Sequence, residues 1–110
     1  MPDATTAKIA ELNDHARQTF GECRVVITQG VSELNDDNVA YILDKVRKYK
    51  DFTPINDPYF EHDFGSIQFG ENTIFWKIDY YDIDLQMHSP DPTDPAVTTR
   101  ILTIMLAEEY

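Results

Sequence analysis

The chain has 110 residues, the length of one domain, and 42% of them are hydrophobic, which is enough for a packed core and argues against disorder. No run of about 18 apolar residues is present, so we expect no membrane span. The first six residues lack the basic and apolar regions of a secretory signal, and Cys23 has no second cysteine to pair with. We therefore expect a cytoplasmic protein.

The net charge of −11 is distributed very unevenly along the chain. Residues 1–50 carry eight acidic and seven basic side chains, whereas residues 51–110 carry twelve acidic and two basic ones, Lys77 and Arg100. A surface this negative repels nucleic-acid phosphates, so we expect no direct nucleic-acid binding. It attracts a basic protein surface, including one that normally holds nucleic acid. The alternative, that the charge only maintains solubility, stays open.

The N-terminal half predicts two helices and a strand. Apolar residues at spacings of three and four predict a first helix from Asp3 to Thr19, with Gly21 at its end and a stripe formed by Ile9, Leu12, Ala16 and Phe20. A short buried strand, Arg24–Thr28, follows and ends at Gly30. The second helix has caps at Asn35, Asp36 and Asp37, a basic C-terminal end, and a buried face of Val39, Ile42, Leu43, Val46 and Tyr49.

Residues 51–63 have no consistent period and contain two prolines, which indicates a loop. Because this loop contains Phe52, Ile55, Tyr59 and Phe60, we expect it to pack onto the domain.

The remaining sequence predicts a hairpin, a third strand and a last helix. Gly65, Ile67 and Phe69 alternate with polar residues before a turn at residues 70–72. On the second strand, one face carries Ile74, Trp76, Ile78 and Tyr80, and the other carries Phe75, Lys77, Asp79 and Tyr81. Ile83, Leu85 and Met87 suggest a third antiparallel strand, and Asp94 with Pro95 suggests the start of a helix with Val97, Ile101, Leu102, Ile104, Met105 and Leu106 on its apolar side.

These elements together predict one α+β domain over residues 1–110. We expect a small antiparallel sheet of three or four strands packed against about three helices.

Polar residues whose side chains could bind a metal or transfer a proton are concentrated between Asp57 and Asp84. Glu61, His62 and Asp63 are consecutive, and Asp79, Asp82 and Asp84 lie where the second hairpin strand ends. Pairing about Glu71 would set Asp63 beside Asp79, so carboxylates and an imidazole would meet at one edge of the sheet.

This composition suits a divalent metal held by Glu61, His62, Asp63, Asp79 and Asp82, or general acid–base chemistry at His62 and Asp79. No EF-hand, H-E-x-x-H, Cys/His zinc or phosphate-loop pattern is present. A structural role is the alternative, with Asp63 capping a turn and His62 holding the loop in place.

Several segments resemble one known family. They are Asp51–Pro54, Asn56–Tyr59, Glu61–Gly65, Phe75–Asp82, Ser89–Pro92 and Leu102–Tyr110. The sequence is similar to the DUF3768 family of short proteobacterial proteins, over nearly the whole chain and most specifically from Asp51 onward. The resemblance implies a mobile-element context, such as a plasmid or phage, and assigns no activity.

Two functions from different classes remain. The first is a small acidic inhibitor, of the anti-CRISPR or anti-restriction type, that docks on a protein with a basic surface as a partial DNA mimic. It needs no cofactor and would use Asp57, Tyr59, Glu61, Asp63, Asp79, Tyr81, Asp82 and Asp84. The second is a metal-dependent hydrolase or nuclease that uses the five ligands above. The oligomeric state is left open.

Overall fold

The computed structural model describes residues 3–110 as three α-helices and a four-stranded sheet; Met1 and Pro2 of the N-terminal segment lie outside the described residues. The elements are, in chain order, α1 (Ala4–Thr19), β1 (Arg24–Ile27), α2 (Gln29–Ser32), α3 (Asp36–Arg47), β2 (Phe64–Phe69), β3 (Asn72–Tyr81) and β4 (Thr99–Leu106). The strand order is β1-β4-β3-β2. The α+β class is therefore confirmed, although the sheet is mixed, because β1 runs parallel to β4 while the other pairs are antiparallel.

The hydrophobic core lies between the helices and one face of the sheet. On β3 the alternating residues Ile74, Trp76, Ile78 and Tyr80 are all buried, as the sequence predicts. Leu102 and Ile104 of β4 and Ile42 and Val46 of α3 complete its centre. Gly65 of β2 lies opposite Trp76, and a Cβ at that position would overlap the indole ring. Only glycine therefore allows β2 to approach this side chain.

The first helix spans the predicted residues, but its buried face is different. Asp3 caps it by accepting a hydrogen bond from the Thr6 amide. Ile9 and Ala16 are buried with Asn13 and Arg17, whereas Leu12 is only half-buried. The helix ends at Thr19 as predicted, but the left-handed residue that follows it, with a φ of 57°, is Phe20 and not the predicted Gly21. The Phe20 ring lies 4.4 Å from the Arg47 guanidinium, so a tertiary contact holds this conformation.

The strand β1 is an edge strand, because β4 is its one partner in the described sheet. Val26 is 44% exposed, so the predicted full burial of this strand is wrong. Gly30 lies inside the short helix α2, which the sequence does not predict. The next helix, α3, is confirmed: Asn35 caps it through the Asn38 amide, and Ile42, Val46 and Tyr49 are buried.

The predicted last helix is wrong, because residues 99–106 form the strand β4. Asp94 does cap a turn by accepting a bond from the Ala96 amide, but this 3-10 turn ends at Val97. The apolar spacing resembles a helix because β4 lies between two strands and packs apolar residues on both faces. The β-branched residues Thr98, Thr99, Ile101, Thr103 and Ile104 favour a strand.

The predicted third strand at Ile83, Leu85 and Met87 is also wrong, because residues 82–88 form a loop. The edge of β3 that it would need is occupied by β4. The loop is closed by the Asp82 amide, which donates to the Met87 carbonyl. Its three apolar side chains are exposed.

The loop of residues 51–63 packs onto the domain through one aromatic side chain. Phe52 makes edge contacts with Tyr49 and Trp76, with ring centres 5.1 and 6.1 Å apart. The expected packing of Ile55, Tyr59 and Phe60 is wrong: they are 92%, 77% and 41% exposed.

Across residues 3–110, no helix is long and apolar enough to cross a membrane.

The position of β4 in the centre of the sheet leads to a stability prediction. Ile104→Ala should lower the free energy of unfolding by about 2–5 kcal/mol, because it opens a cavity in the core. The matched variant Ile55→Ala, in the exposed loop, should change it by less than about 0.5 kcal/mol. Urea unfolding followed by circular dichroism measures both. Equal, small effects would contradict the central placement of β4.

Candidate functional site

The hairpin brings the two predicted acidic segments to one end of the sheet, with a register one residue away from the prediction. Phe69 pairs with Asn72 around a two-residue turn, in which Gly70 has a φ of 58°. The Ile78 amide donates to the Asp63 carbonyl at 2.8 Å, so Asp63 lies opposite Ile78 and not opposite Asp79. Asp63 and Asp79 are therefore offset by one residue, although both line one groove at this end of the sheet.

A buried network of hydrogen bonds lies beside Asp63. Asn13, on α1 and 0% exposed, donates to the Tyr80 hydroxyl at 2.8 Å and to the Glu61 carbonyl at 2.9 Å. Its amide oxygen accepts from Arg100 Nε at 2.8 Å. Tyr80 in turn donates to the Glu61 carboxylate at 2.8 Å. Burial raises the pKa of Tyr80 far above its ordinary value, so the hydroxyl keeps its proton as a donor. One asparagine thus connects α1, β3, β4 and the loop.

The imidazole of His62 is held on three sides. Nδ1 lies 2.9 Å from the Asp14 carboxylate, and Nε2 lies 3.6 Å from that of Asp57. The ring stacks on Phe52, with centres 4.0 Å apart and planes at 3°. His62 also has a positive φ of 56°, a conformation that costs energy in a non-glycine residue and is maintained by these contacts. Both ring nitrogens therefore face carboxylates: that of Asp14 fixes the loop to α1, and that of Asp57 lies within the loop itself.

Asp63 is the carboxylate whose ionisation the fold changes most clearly. Burial, together with the neighbouring charge of Glu61, raises the pKa of Asp63 from 3.8 to about 6. It lines a groove of about 310 Å³ with Asp79, Tyr80, Tyr81 and His88. A carboxyl group with a pKa near neutrality can accept or release a proton at physiological pH.

Seven carboxylates collect at the end of the sheet where β3 finishes and β2 and β4 begin. We call this surface the acidic end; it consists of Glu61, Asp63, Asp79, Asp82, Asp84, Asp91 and Asp94. Three basic side chains share this end of the sheet: Arg24, Lys77 and Arg100. Arg100 is 4% exposed and Lys77 pairs with Asp79 at 2.9 Å. The seven carboxylates outnumber the three basic side chains, so this end keeps a formal excess of four negative charges.

The predicted interaction residues differ in accessibility. Asp57 is 4% exposed and accepts from the His62 amide, so it is removed from any docking surface. Tyr59 is 77% and Tyr81 37% exposed. Asp84 is exposed, and Asp82 accepts from the Gln86 amide to close its loop.

The five predicted metal ligands do not converge. Within residues 3–110, no group of three or more His, Cys, Asp or Glu side chains is placed to hold a metal ion. Glu61 is bound by Tyr80, and His62 by Asp14, so both side chains are engaged in internal contacts.

Several residues of the site escape sequence reasoning. They are Asn13, Asp14, Arg17, Tyr80 and Arg100. Arg17 is 1% exposed, donates to the carbonyls of Val46 and Arg47, and lies 5.3 Å from the Trp76 ring. One signal was available: Ile9, Asn13 and Arg17 are spaced by four, so two polar residues share a helical face with an apolar one.

These features define a small α+β protein whose helices cover one face of a mixed sheet and whose strand ends carry an excess of carboxylates. A family model described as a protein of unknown function, DUF3768, matches residues 27–109. The chain therefore belongs to the DUF3768 family. No curated protein and no solved structure matches the chain.

The raised pKa of Asp63 predicts a specific pH dependence of stability. Between about pH 4 and 6 the folded state keeps a proton on Asp63 that the unfolded chain releases. The contribution of Asp63 to the free energy of unfolding is therefore fully present below about pH 4 and is lost as the pH rises through about 6. Asp63→Asn should therefore be more stable than the wild type by about 1–2 kcal/mol at pH 7.5, allowing for solvent screening, and equal to it near pH 4.

Urea unfolding between pH 4 and 7.5 measures this difference. The matched variant Asp84→Asn, at an exposed position, should change stability by less than about 0.5 kcal/mol throughout. A difference between Asp63→Asn and the wild type that does not vary with pH would contradict the raised pKa.

Proposed function

We propose that this protein is a small acidic inhibitor that docks through its acidic end on the basic surface of a nucleic-acid-handling protein. The observation that carries the proposal is the shortage of internal counter-charges. Within residues 3–110, only Asp57 and Asp79 of the twelve carboxylates in residues 51–110 lie in an ion pair. Of the remaining carboxylates, Glu61 is bound by Tyr80 and Asp63 is partly buried, whereas loop carboxylates such as Asp84 and Asp91 are exposed and available to a partner.

The shape of the acidic end supports the same proposal. Carboxylates of the loops at residues 82–88 and 89–94 extend beyond strands that a rigid core holds in place. Fixed negative charges presented in this way can occupy lysine and arginine sites that otherwise bind phosphates. Tyr81, at the end of β3, supplies an exposed aromatic side chain of the kind that anchors protein interfaces.

The inhibitor would be of the anti-CRISPR or anti-restriction type, acting as a partial DNA mimic in the bacterial cytoplasm. This assignment rests on the charge distribution, the small size and the mobile-element context that the family resemblance implies. The alternative of a metal-dependent hydrolase has no comparable geometric support among the described residues, because its ligands do not converge.

The proposal predicts that binding depends on where the charges are and not only on how many there are. The variant Asp79→Asn, Asp82→Asn, Asp84→Asn neutralises three of the seven carboxylates of the acidic end. At position 82 the amide oxygen can still accept the hydrogen bond from the Gln86 amide that closes the loop. The matched variant Glu33→Gln, Glu71→Gln, Glu108→Gln neutralises three exposed carboxylates elsewhere. Each changes the net charge from −11 to −8.

The three immobilised proteins are compared in a pull-down from nuclease-treated bacterial lysate, eluted with a salt gradient and identified by mass spectrometry. We expect the wild type and the matched variant to retain the same basic nucleic-acid-handling protein, which elutes at moderate salt. The acidic-end variant should lose it. Equal retention by both variants, retention that salt does not weaken, or no retained protein would contradict the proposal.

A further inference from the structure

Within residues 3–110, one face of the sheet has no α-helix against it, and only Tyr110 packs on its margin, against Phe64 and Phe75. We call it the open face; it is centred on Phe75, Lys77, Asp79 and Tyr81 of β3 and on Ile101 and Thr103 of β4. These residues alternate with the buried ones, and α1, α2 and α3 lie on the other side of the sheet. They are half-buried apart from Tyr81, which is 37% exposed. A sheet face with this many apolar groups is usually covered in the functional protein.

The apolar surface extends beyond the strands. The loop of residues 82–88 exposes Ile83, Leu85 and Met87 to 54%, 37% and 72%. Leu85 shares a groove of about 460 Å³ with Lys77, Asp79 and Ile101 of the open face. The groove offers a covering surface an apolar floor with one basic side chain, Lys77, and two acidic ones, Asp79 and Glu109.

The charge of the open face differs from that of the acidic end. Its strand positions carry Arg24, Lys77 and Asp79, and they contribute two positive charges and one negative charge. A strongly basic partner is not attracted to a face of mixed charge. A surface that also carries apolar groups between one basic and one acidic side chain can pair each of its charges with an opposite one. A second copy of the chain has that surface by definition.

The dimensions of the open face are sufficient for such a contact. The four strands have 4, 6, 10 and 8 residues, and at about 4.8 by 3.3 Å for each residue they give a face of roughly 440 Å². Two copies would bury roughly 900 Å² in total, and the apolar loop brings this to about the 1,000 Å² that a specific interface needs.

We propose that two copies of this chain associate through their open faces into a symmetric dimer with the helices outside. The two-fold axis would lie between the two sheets and run across β3 at the level of Ile78. Because Lys77 and Asp79 are on one strand face, one residue before and one after Ile78, Lys77 of each copy then lies opposite Asp79 of the other. Asp79 of the acidic end becomes covered in this arrangement, whereas its loop carboxylates, such as Asp91, lie outside the strands and stay exposed. Because each copy has a charge of −11, the copies repel at long range, and salt strengthens the association by screening.

Salt should strengthen the dimer and weaken the proposed inhibitor contact, so the two proposals can be tested separately. A chain that stays monomeric would contradict the dimer without contradicting the proposed function.

Sedimentation velocity of the purified chain at several concentrations, in 0.05 M and 0.5 M NaCl, tests the proposal. We expect a species of twice the 12.7 kDa chain mass, with a dissociation constant at least threefold lower at the higher salt. Ile101→Lys places a charge at the centre of the open face and should yield a monomer. The matched Ile55→Lys, at a 92% exposed position, should dimerise like the wild type.

Circular dichroism verifies that each variant is folded. If Ile101→Lys does not fold, Asp79→Lys, at the surface, provides the second test, because it sets like charges against each other and should weaken the dimer at least tenfold. A monomeric wild type, association that salt weakens, or a dimer that persists in either folded variant would overturn the proposal.

Discussion

The buried amide of Asn13 is the constraint on which the rest of the site depends. It satisfies the Tyr80 hydroxyl, the Glu61 carbonyl and the Arg100 guanidinium together, and these groups come from β3, the loop and β4. Buried polar groups are costly when left unpaired, so α1 can dock on the sheet in only one position. Arg100 adds a second constraint, because its Nη2 donates to the Pro92 carbonyl and holds the segment that leads into β4.

The position of α1 determines in turn where the charged loops lie. Asp14, one residue after Asn13, binds both His62 and Arg17, and this fixes the loop of residues 51–63 against the helix. The segment before β2 then ends beside β3, and Glu61 and Asp63 join the other carboxylates of the acidic end. The interior network is therefore structural, while the residues outside it remain free to meet a partner. One sheet face and one sheet end are left available, with different charge.

The elements that the sequence predicts correctly are those with strong local signals. The caps and apolar face of α3 and the alternation along β3 are both set within a few residues. The sequence predicts a helix where β4 forms, because a central strand is apolar on both faces and the spacing of its apolar residues then fits either period. The candidate site is predicted only in part. Glu61, His62 and Asp63 stand out in the sequence, whereas Asn13 and Arg100 are 87 positions apart and no local pattern relates them.

The central claim is that the Asn13 network positions the helix, the loop and the strands together. Asn13→Ala tests it most directly, because alanine favours a helix more than asparagine does and any loss of stability must come from the network. We expect the free energy of unfolding at pH 7 to fall by about 2–4 kcal/mol, as Tyr80, Glu61 and Arg100 lose their shared partner. Unchanged or increased stability in urea unfolding would contradict the account, since α1 would then be held by apolar packing alone.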